Sequence, residues 1–254
     1  MGWLPRSRPV AATLRRPTIR VSGAVGQESL KMLALSHLVA LAGRDVLVYF
    51  DESRDPQENL GREDELFQRV ENLELPEIAR FWVNSECLVR GKARTPRYGW
   101  YNAELAERMG IRVVERSTGG GVVYHDEGNL NWSLIVRTNG GFLAPTAAFK
   151  QASRYMLDAL GNLGVPAVFS PPNRIDVSGL KVSGMAARST PHTLLVHGTL
   201  LIDSDLEKLN TLCIPPAGCP AVANVSRWAA RIDMESVAGA FVAALEGSGF
   251  RVSR

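Results

Sequence analysis

The chain has 254 residues, 45% of them hydrophobic, and a formal net charge of only +3. That apolar content can fill the core of one large domain, and so small a charge excess with no accompanying motif speaks against a nucleic-acid partner. Three irregularly spaced cysteines exclude a disulfide framework, four scattered histidines lack paired ligand spacing for a metal, and no run approaches the roughly 18 apolar residues of a membrane span.

Residues 1–27 carry Arg6, Arg8, Arg15, Arg16 and Arg20 and no acidic side chain. Residues 1–44 therefore read as an N-terminal extension, either disordered or upstream of the true start, with a short apolar helix at Met32–Ala42. A cytoplasmic location is expected, and a mitochondrial one if the Arg-rich leader is a transit peptide. The remainder, 45–254, reads as one catalytic domain.

Alternating Val46, Val48 and Phe50 predict an opening strand, and Leu60, Leu66, Phe67 and Val70 a helix over Asn59–Val70. Further strands follow around Phe81–Val83 and Cys87–Val89. A helix over Tyr101–Met109 stops at Gly110, and Ile111–Val114 is the next strand. Ala144–Leu163 has core-packing helical spacing. Ala167–Phe169 and Ile175–Val177 are strands, and Ser178-Gly179 turns the chain into Leu180-Lys181-Val182. Thr193–Ile202 is a long strand, Asp205–Leu212 a short helix, and Ser236–Glu246 a closing amphipathic helix. Hairpins interrupted by helices predict an α+β fold with a mixed, mostly antiparallel sheet.

The chemistry concentrates in Arg116-Ser117-Thr118-Gly119-Gly120-Gly121-Val122-Val123-Tyr124-His125-Asp126-Glu127-Gly128-Asn129. Three consecutive glycines leave peptide N–H groups open to an anion. The strand-like runs on either side of Asp126–Asn129 predict a hairpin with the glycines at its mouth and His125 in an exposed turn. The acidic stretch 51–77 is followed by Arg90, Lys92, Arg94, Arg97, Arg108, Arg112 and Arg116, a cluster suited to attracting an anion.

This string resembles the signature of the biotin/lipoate ligase superfamily, and within it that of lipoate-protein ligases. Two further strings match in order: Asn173-Arg174-Ile175-Asp176-Val177-Ser178-Gly179-Leu180-Lys181-Val182-Ser183-Gly184-Met185-Ala186, and His197-Gly198-Thr199-Leu200-Leu201-Ile202-Asp203. The resemblance implies a two-step reaction, in which lipoate attacks the α-phosphate of ATP to give lipoyl-AMP and an acceptor lysine then takes the acyl group. It implies Lys181 as the catalytic residue, and Arg116, Gly119, Gly120, Gly121, Val122, Val123, Tyr124 and Lys181 as the ATP and lipoate contacts. Mg2+ would accompany the phosphates without a dedicated set of protein ligands. His125, Asp126, Asn173, Asp176 and His197 are candidate supporting residues, His125 as a loop-orienting group ahead of a general base. The implied acceptors are lipoyl domains of 2-oxoacid dehydrogenases or a glycine-cleavage carrier protein. With almost nothing after the last helix, no C-terminal accessory domain is expected, and a separate small accessory subunit would help activation.

The chain departs from the family pattern at Arg94 (Gln in relatives), Glu115 (Arg) and Arg174 (Asp), the last two of which could compensate one another. A sister branch, the octanoyl or lipoyl transferases, forms a thioester on a cysteine, which makes Cys213 and Cys219 alternative nucleophiles. A non-catalytic subunit that binds lipoyl carriers is the remaining reading. The arginine-rich glycine loop of biotin-protein ligases is absent.

Overall fold

The computed structural model describes residues 43–92, 100–140 and 144–253; expectations for the N-terminal extension up to residue 42 and for Arg94 and Arg97 lie outside the described residues. Strand β1 (Asp45–Phe50) leads into helix α1 (Pro56–Glu71), which begins three residues earlier than the apolar spacing suggested. Asp55 accounts for the earlier start: its side chain accepts from the Gln57 and Glu58 N–H groups, and Pro56 occupies the first helical position, where no N–H is needed.

Eight strands form the main sheet in the order β11-β1-β2-β6-β10-β9-β8-β7. Besides β1 these are β2 (Glu77–Trp82), β6 (Asn129–Arg137), β7 (Ala167–Ser170), β8 (Arg174–Val177), β9 (Leu180–Ser189), β10 (Thr193–Leu201) and β11 (Arg251–Ser253). A second sheet holds β3 (Cys87–Gly91) between β4 (Arg112–Arg116) and β5 (Val122–His125). Six of the nine pairings are antiparallel; β1 with β2, β1 with β11, and β3 with β4 are parallel. The α+β, mostly antiparallel expectation stands. Strand β11 was missed because three residues after a helix carry no usable period.

The predicted hairpin is not one. β5 pairs with β3, whereas β6 pairs with β2 and β10, so the Asp126–Asn129 turn carries the chain from the small sheet to the large one. Gly128 permits the crossing, since a Cβ there would meet the Asp203 backbone at 2.2 Å.

Helices cover both faces of the large sheet. On one, Leu66, Phe67 and Val70 of α1 pack against Ile78, Ile135 and Leu195. On the other, Phe241 of α5 (Met234–Gly247) contacts Phe81, Trp132 and Tyr155, the last from α3 (Pro145–Asn162). Full burial of each such side chain contributes about 1.5–3 kcal/mol. The N-terminal half of α1 overhangs the join between the sheets, where Leu60 packs on Cys87, Val89 and Val114. Helices α2 (Ala103–Arg108) and α4 (Leu206–Leu212) close the small sheet through Leu88, Tyr124 and Leu212. Among the described residues no helix is long and apolar enough to cross a membrane.

Candidate active site

A cavity of about 600 Å³ lies between the two sheets. Buried Leu60, Trp82, Val89 and Leu201 line part of it, and Trp100, Ile214, Pro216 and Cys219 stand where it is exposed. Both glycine-containing motifs and the His197 motif reach it, so strings separated by about 60 and 80 residues in sequence share one wall.

The glycine loop is held against the end of β3. Gly91 N–H donates to Gly121 O at 3.0 Å and Lys92 N–H to Thr118 O at 2.8 Å. The approach is so close that a Cβ on Gly91 would meet Gly120 O at 2.4 Å. Gly120 has φ +100°, a conformation reserved for glycine. Among the described residues, none of the Gly119, Gly120 and Gly121 N–H groups donates to a protein acceptor, which leaves them for an anion.

Arg116 does not present an open fork. It is buried; Nη2 donates to Gly119 O (2.8 Å) and Gly121 O (3.1 Å), Nη1 to Val89 O (3.2 Å), and Nε to Thr118 Oγ1 (3.0 Å). Burial lowers its pKa to about 10, so it remains a cation that shapes the loop from within. Three arginines of the expected anion-attracting cluster are also paired: Arg90 with Glu115 at 3.2 Å, Arg112 with Asp55 at 2.6 Å, and Arg108 with Glu104 at 3.9 Å. Glu115 and Arg174 therefore do not compensate one another. Each has its own partner, Arg174 meeting Asp176 at 3.1 Å.

Lys181, second residue of β9, lines the cavity without an ion pair among the described residues. Its backbone is clamped by Ala221 O (2.8 Å) and Ala223 N–H (3.0 Å). Desolvation lowers its pKa, with the Arg174 charge acting in the same direction and Asp176 opposing it. Cys213 is half-buried, and burial pushes its thiol up to about 11, which leaves little thiolate at neutral pH. Cys219 is exposed. Both line the cavity.

His125 is buried at the end of β5, not exposed in a turn. Asn59 Nδ2 donates to Asn84 Oδ1 (2.9 Å), so Asn84 Nδ2 donates to His125 Nδ1 (2.9 Å) and the ring proton sits on Nε2. Burial, with the Arg116 charge nearby, pulls the pKa down to about 3. The neutral ring is tied to Asn84 through Nδ1 and its Nε2–H has no protein partner among the described residues, so it has no general-base nitrogen free. Asp126 is also structural: it accepts from Gly128 N–H (3.0 Å) and, through its other oxygen, from Asp205 N–H at the start of α4 (2.7 Å). Asn173 Nδ2 donates to Met185 O (2.6 Å) on the cavity wall.

His197 bonds through Nδ1 to Glu63 (2.7 Å) and through Nε2 to Thr118 Oγ1 (2.8 Å), which joins α1, β10 and the glycine loop. Burial works to raise the Glu63 pKa, yet the His197 hydrogen bond and the Arg80 and Arg116 charges hold it below the ordinary range. Sequence reasoning missed Glu63, Asn84 and Trp100. Glu63 was hidden in an acidic helix that reads as a solvated face, although its place three residues after Leu60 put it on the apolar side.

The model of the lipoyl protein ligase A/B catalytic domain matches residues 55–246. The chain belongs to this family. It is 36% identical over 153 residues to the lipoate-protein ligase LplJ of Bacillus subtilis, covering 60% of this chain and 44% of that one. A protein named a probable lipoate-protein ligase A, from Mycoplasma genitalium, is 34% identical over 155 residues, covering 61% and 45%. The chain thus spans about half the length of the curated relatives it matches. Its fold is that of the bipartite lipoate protein ligase of Thermoplasma acidophilum, solved in work that also describes its E2 lipoyl domain; the TM-score is 0.71 at 19% identity over 84% of this chain and 86% of that one.

Proposed function

We propose that this chain carries the catalytic steps of an ATP-dependent lipoate-protein ligase. The supporting observation is one cavity in which a buried apolar wall, a glycine loop with uncommitted N–H groups and the unpaired Lys181 ammonium meet. The acyl chain of lipoate fits the apolar end beside Leu60, Trp82 and Val89, with Val122, Val123 and Tyr124 along the nucleotide. The carboxylate attacks the α-phosphate, with pyrophosphate leaving; the acceptor lysine then attacks the acyl carbon, with AMP leaving. Negative charge grows on phosphate and acyl oxygens in both steps, where Lys181 and the Gly119–Gly121 N–H groups stabilise it. Arg116 holds that loop in shape, and His197 braces it through Thr118.

Among the described residues no group of three or more His, Cys, Asp or Glu side chains is placed to hold a metal. Mg2+ therefore enters this proposal bound to the phosphates and water, neutralising phosphate charge. The acceptors proposed are lipoyl domains or a glycine-cleavage carrier protein, with a separate small chain assisting activation as in bipartite relatives.

Intact-mass measurement of an apo lipoyl domain, incubated with the protein and lipoate with and without ATP and magnesium, tests the reading. A lipoyl mass gain that requires ATP and disappears in Lys181→Ala is expected. Transfer from an acyl-carrier thioester without ATP, lost in Cys213→Ser or Cys219→Ser, would make the protein a transferase. Binding to the carrier with no mass gain would make it a non-catalytic subunit.

A further inference from the structure

The β8–β9 ribbon carries Lys181 on the cavity wall, with the charges of Arg174 and Asp176 close enough to act on it. Asp176 and Lys181 are cross-strand partners beside a register break that falls between Ile175 and Asp176. Arg174, two residues before Asp176, lies beyond that break and is the cross-strand partner of Gly184. The Lys181 side chain runs toward the same point, since a Cβ on Gly184 would lie 3.1 Å from both Lys181 Cε and Nζ. Asp176 is buried, and a buried carboxylate opposite a lysine ordinarily captures it. Here it does not. Arg174 holds both Asp176 oxygens, Nη2 to Oδ2 at 3.1 Å and Nε to Oδ1 at 3.4 Å. A planar guanidinium offering two parallel donors outcompetes a single ammonium for a carboxylate.

We propose that Arg174 is a positioning residue that keeps the Asp176 carboxylate off Lys181, so that the ammonium meets the acyl and phosphate oxygens without a protein counter-ion. This rests on the ligase reading of the site. The ionisable groups facing the Lys181 amine are Arg174 and Asp176 from β8 and the Cys213 and Cys219 thiols from the segment after α4. Removing Arg174 deletes a neighbouring positive charge and frees a negative one, and both changes favour the ammonium and hold it in a salt bridge.

Two readouts test this on the full chain. Competitive amine labelling followed by mass spectrometry gives the Lys181 pKa without any substrate. It should rise by about one unit in Arg174→Ala and return toward the wild-type value in Arg174→Ala/Asp176→Asn, because one charge neighbour shifts a pKa by that order. Lipoate-dependent ATP–pyrophosphate exchange should fall about tenfold in kcat in Arg174→Ala, recover in the double variant, and be partly kept in Arg174→Lys. An unchanged pKa, or a double variant as impaired as the single one, overturns the role of Arg174. Wild-type protein with no exchange under any condition overturns the ligase reading instead, while the labelling result still decides whether Arg174 sets the state of Lys181.

Discussion

Lys181 lies across the backbone of Gly184, with Cε and Nζ both 3.1 Å from the point a Cβ there would occupy. The glycine between the family lysine and the rest of β9 therefore gives the ammonium its path into the cavity. The obstructing atoms are the free end of a flexible side chain, so Gly184→Ala should displace the amine with little cost to the fold. We expect kcat for lipoyl transfer to fall about tenfold, equal to about 1.4 kcal/mol of lost transition-state stabilisation, with the melting temperature within a few degrees of wild type. A large drop in melting temperature would show that the glycine serves the fold.

Gly91→Ala tests the opposite case. The atoms in the way are backbone, Gly120 O at 2.4 Å and Gly119 C at 2.7 Å, and neither can rotate aside. The loop must lift off β3, breaking the Gly91 N–H to Gly121 O bond and unseating Arg116. Stability in urea should fall by about 1–3 kcal/mol and nucleotide binding should weaken with it.

His197→Leu would leave Glu63 buried without its hydrogen-bond partner. Glu63 Oε1 already has no hydrogen-bond partner, so nothing nearby takes over. A loss of about 3–5 kcal/mol at pH 7 is expected, measurable by denaturant titration. Glu63→Gln combined with His197→Leu should recover part of it. Because the folded pKa of Glu63 lies below 4.5, the stabilisation from its ionised form is present above pH 4.5 and lost as pH falls through the folded value.

His125 gives a second acid transition at higher pH. Its folded pKa of about 3 lies below the ordinary 6.5, so the unfolded chain takes up a proton first. Stability from this group is complete above pH 6.5 and falls by about 1.4 kcal/mol per pH unit between 6.5 and 3. His125→Gln should flatten that part of the stability profile, read by chemical denaturation at stepped pH. A profile as steep as wild type would mean another group titrates there.

Cys213→Ser and Cys219→Ser should both retain ATP-dependent transfer within about twofold. The Cys213 thiol, pushed up to about 11, is poorly suited to attack near neutral pH. Loss of activity in either variant, seen in the intact-mass assay, would favour the thioester route.

Much was legible from local chemistry. A 3.6-residue period placed α1 through Leu66, Phe67 and Val70, alternation placed β1, and the glycine run marked a loop whose Gly120 adopts a conformation that favours glycine, because each of these signals is set by a residue and its near neighbours. The three family strings likewise carried Lys181, Arg116 and the glycines to one cavity. What the tertiary structure alone decided is which groups meet across the fold. Glu63 and His197 are 134 residues apart and Asn84 and His125 are 41 apart, yet each pair shares a hydrogen bond. His125 looked exposed because a polar turn follows it, and it is buried because β5 and β6 enter different sheets. The arginines ahead of the glycines looked like an anion field because sequence shows charge without partners, while in the fold Asp55 and Glu115 pair with Arg112 and Arg90. A residue type states what a side chain can do; burial and the partner across the sheet decide which of those things it does.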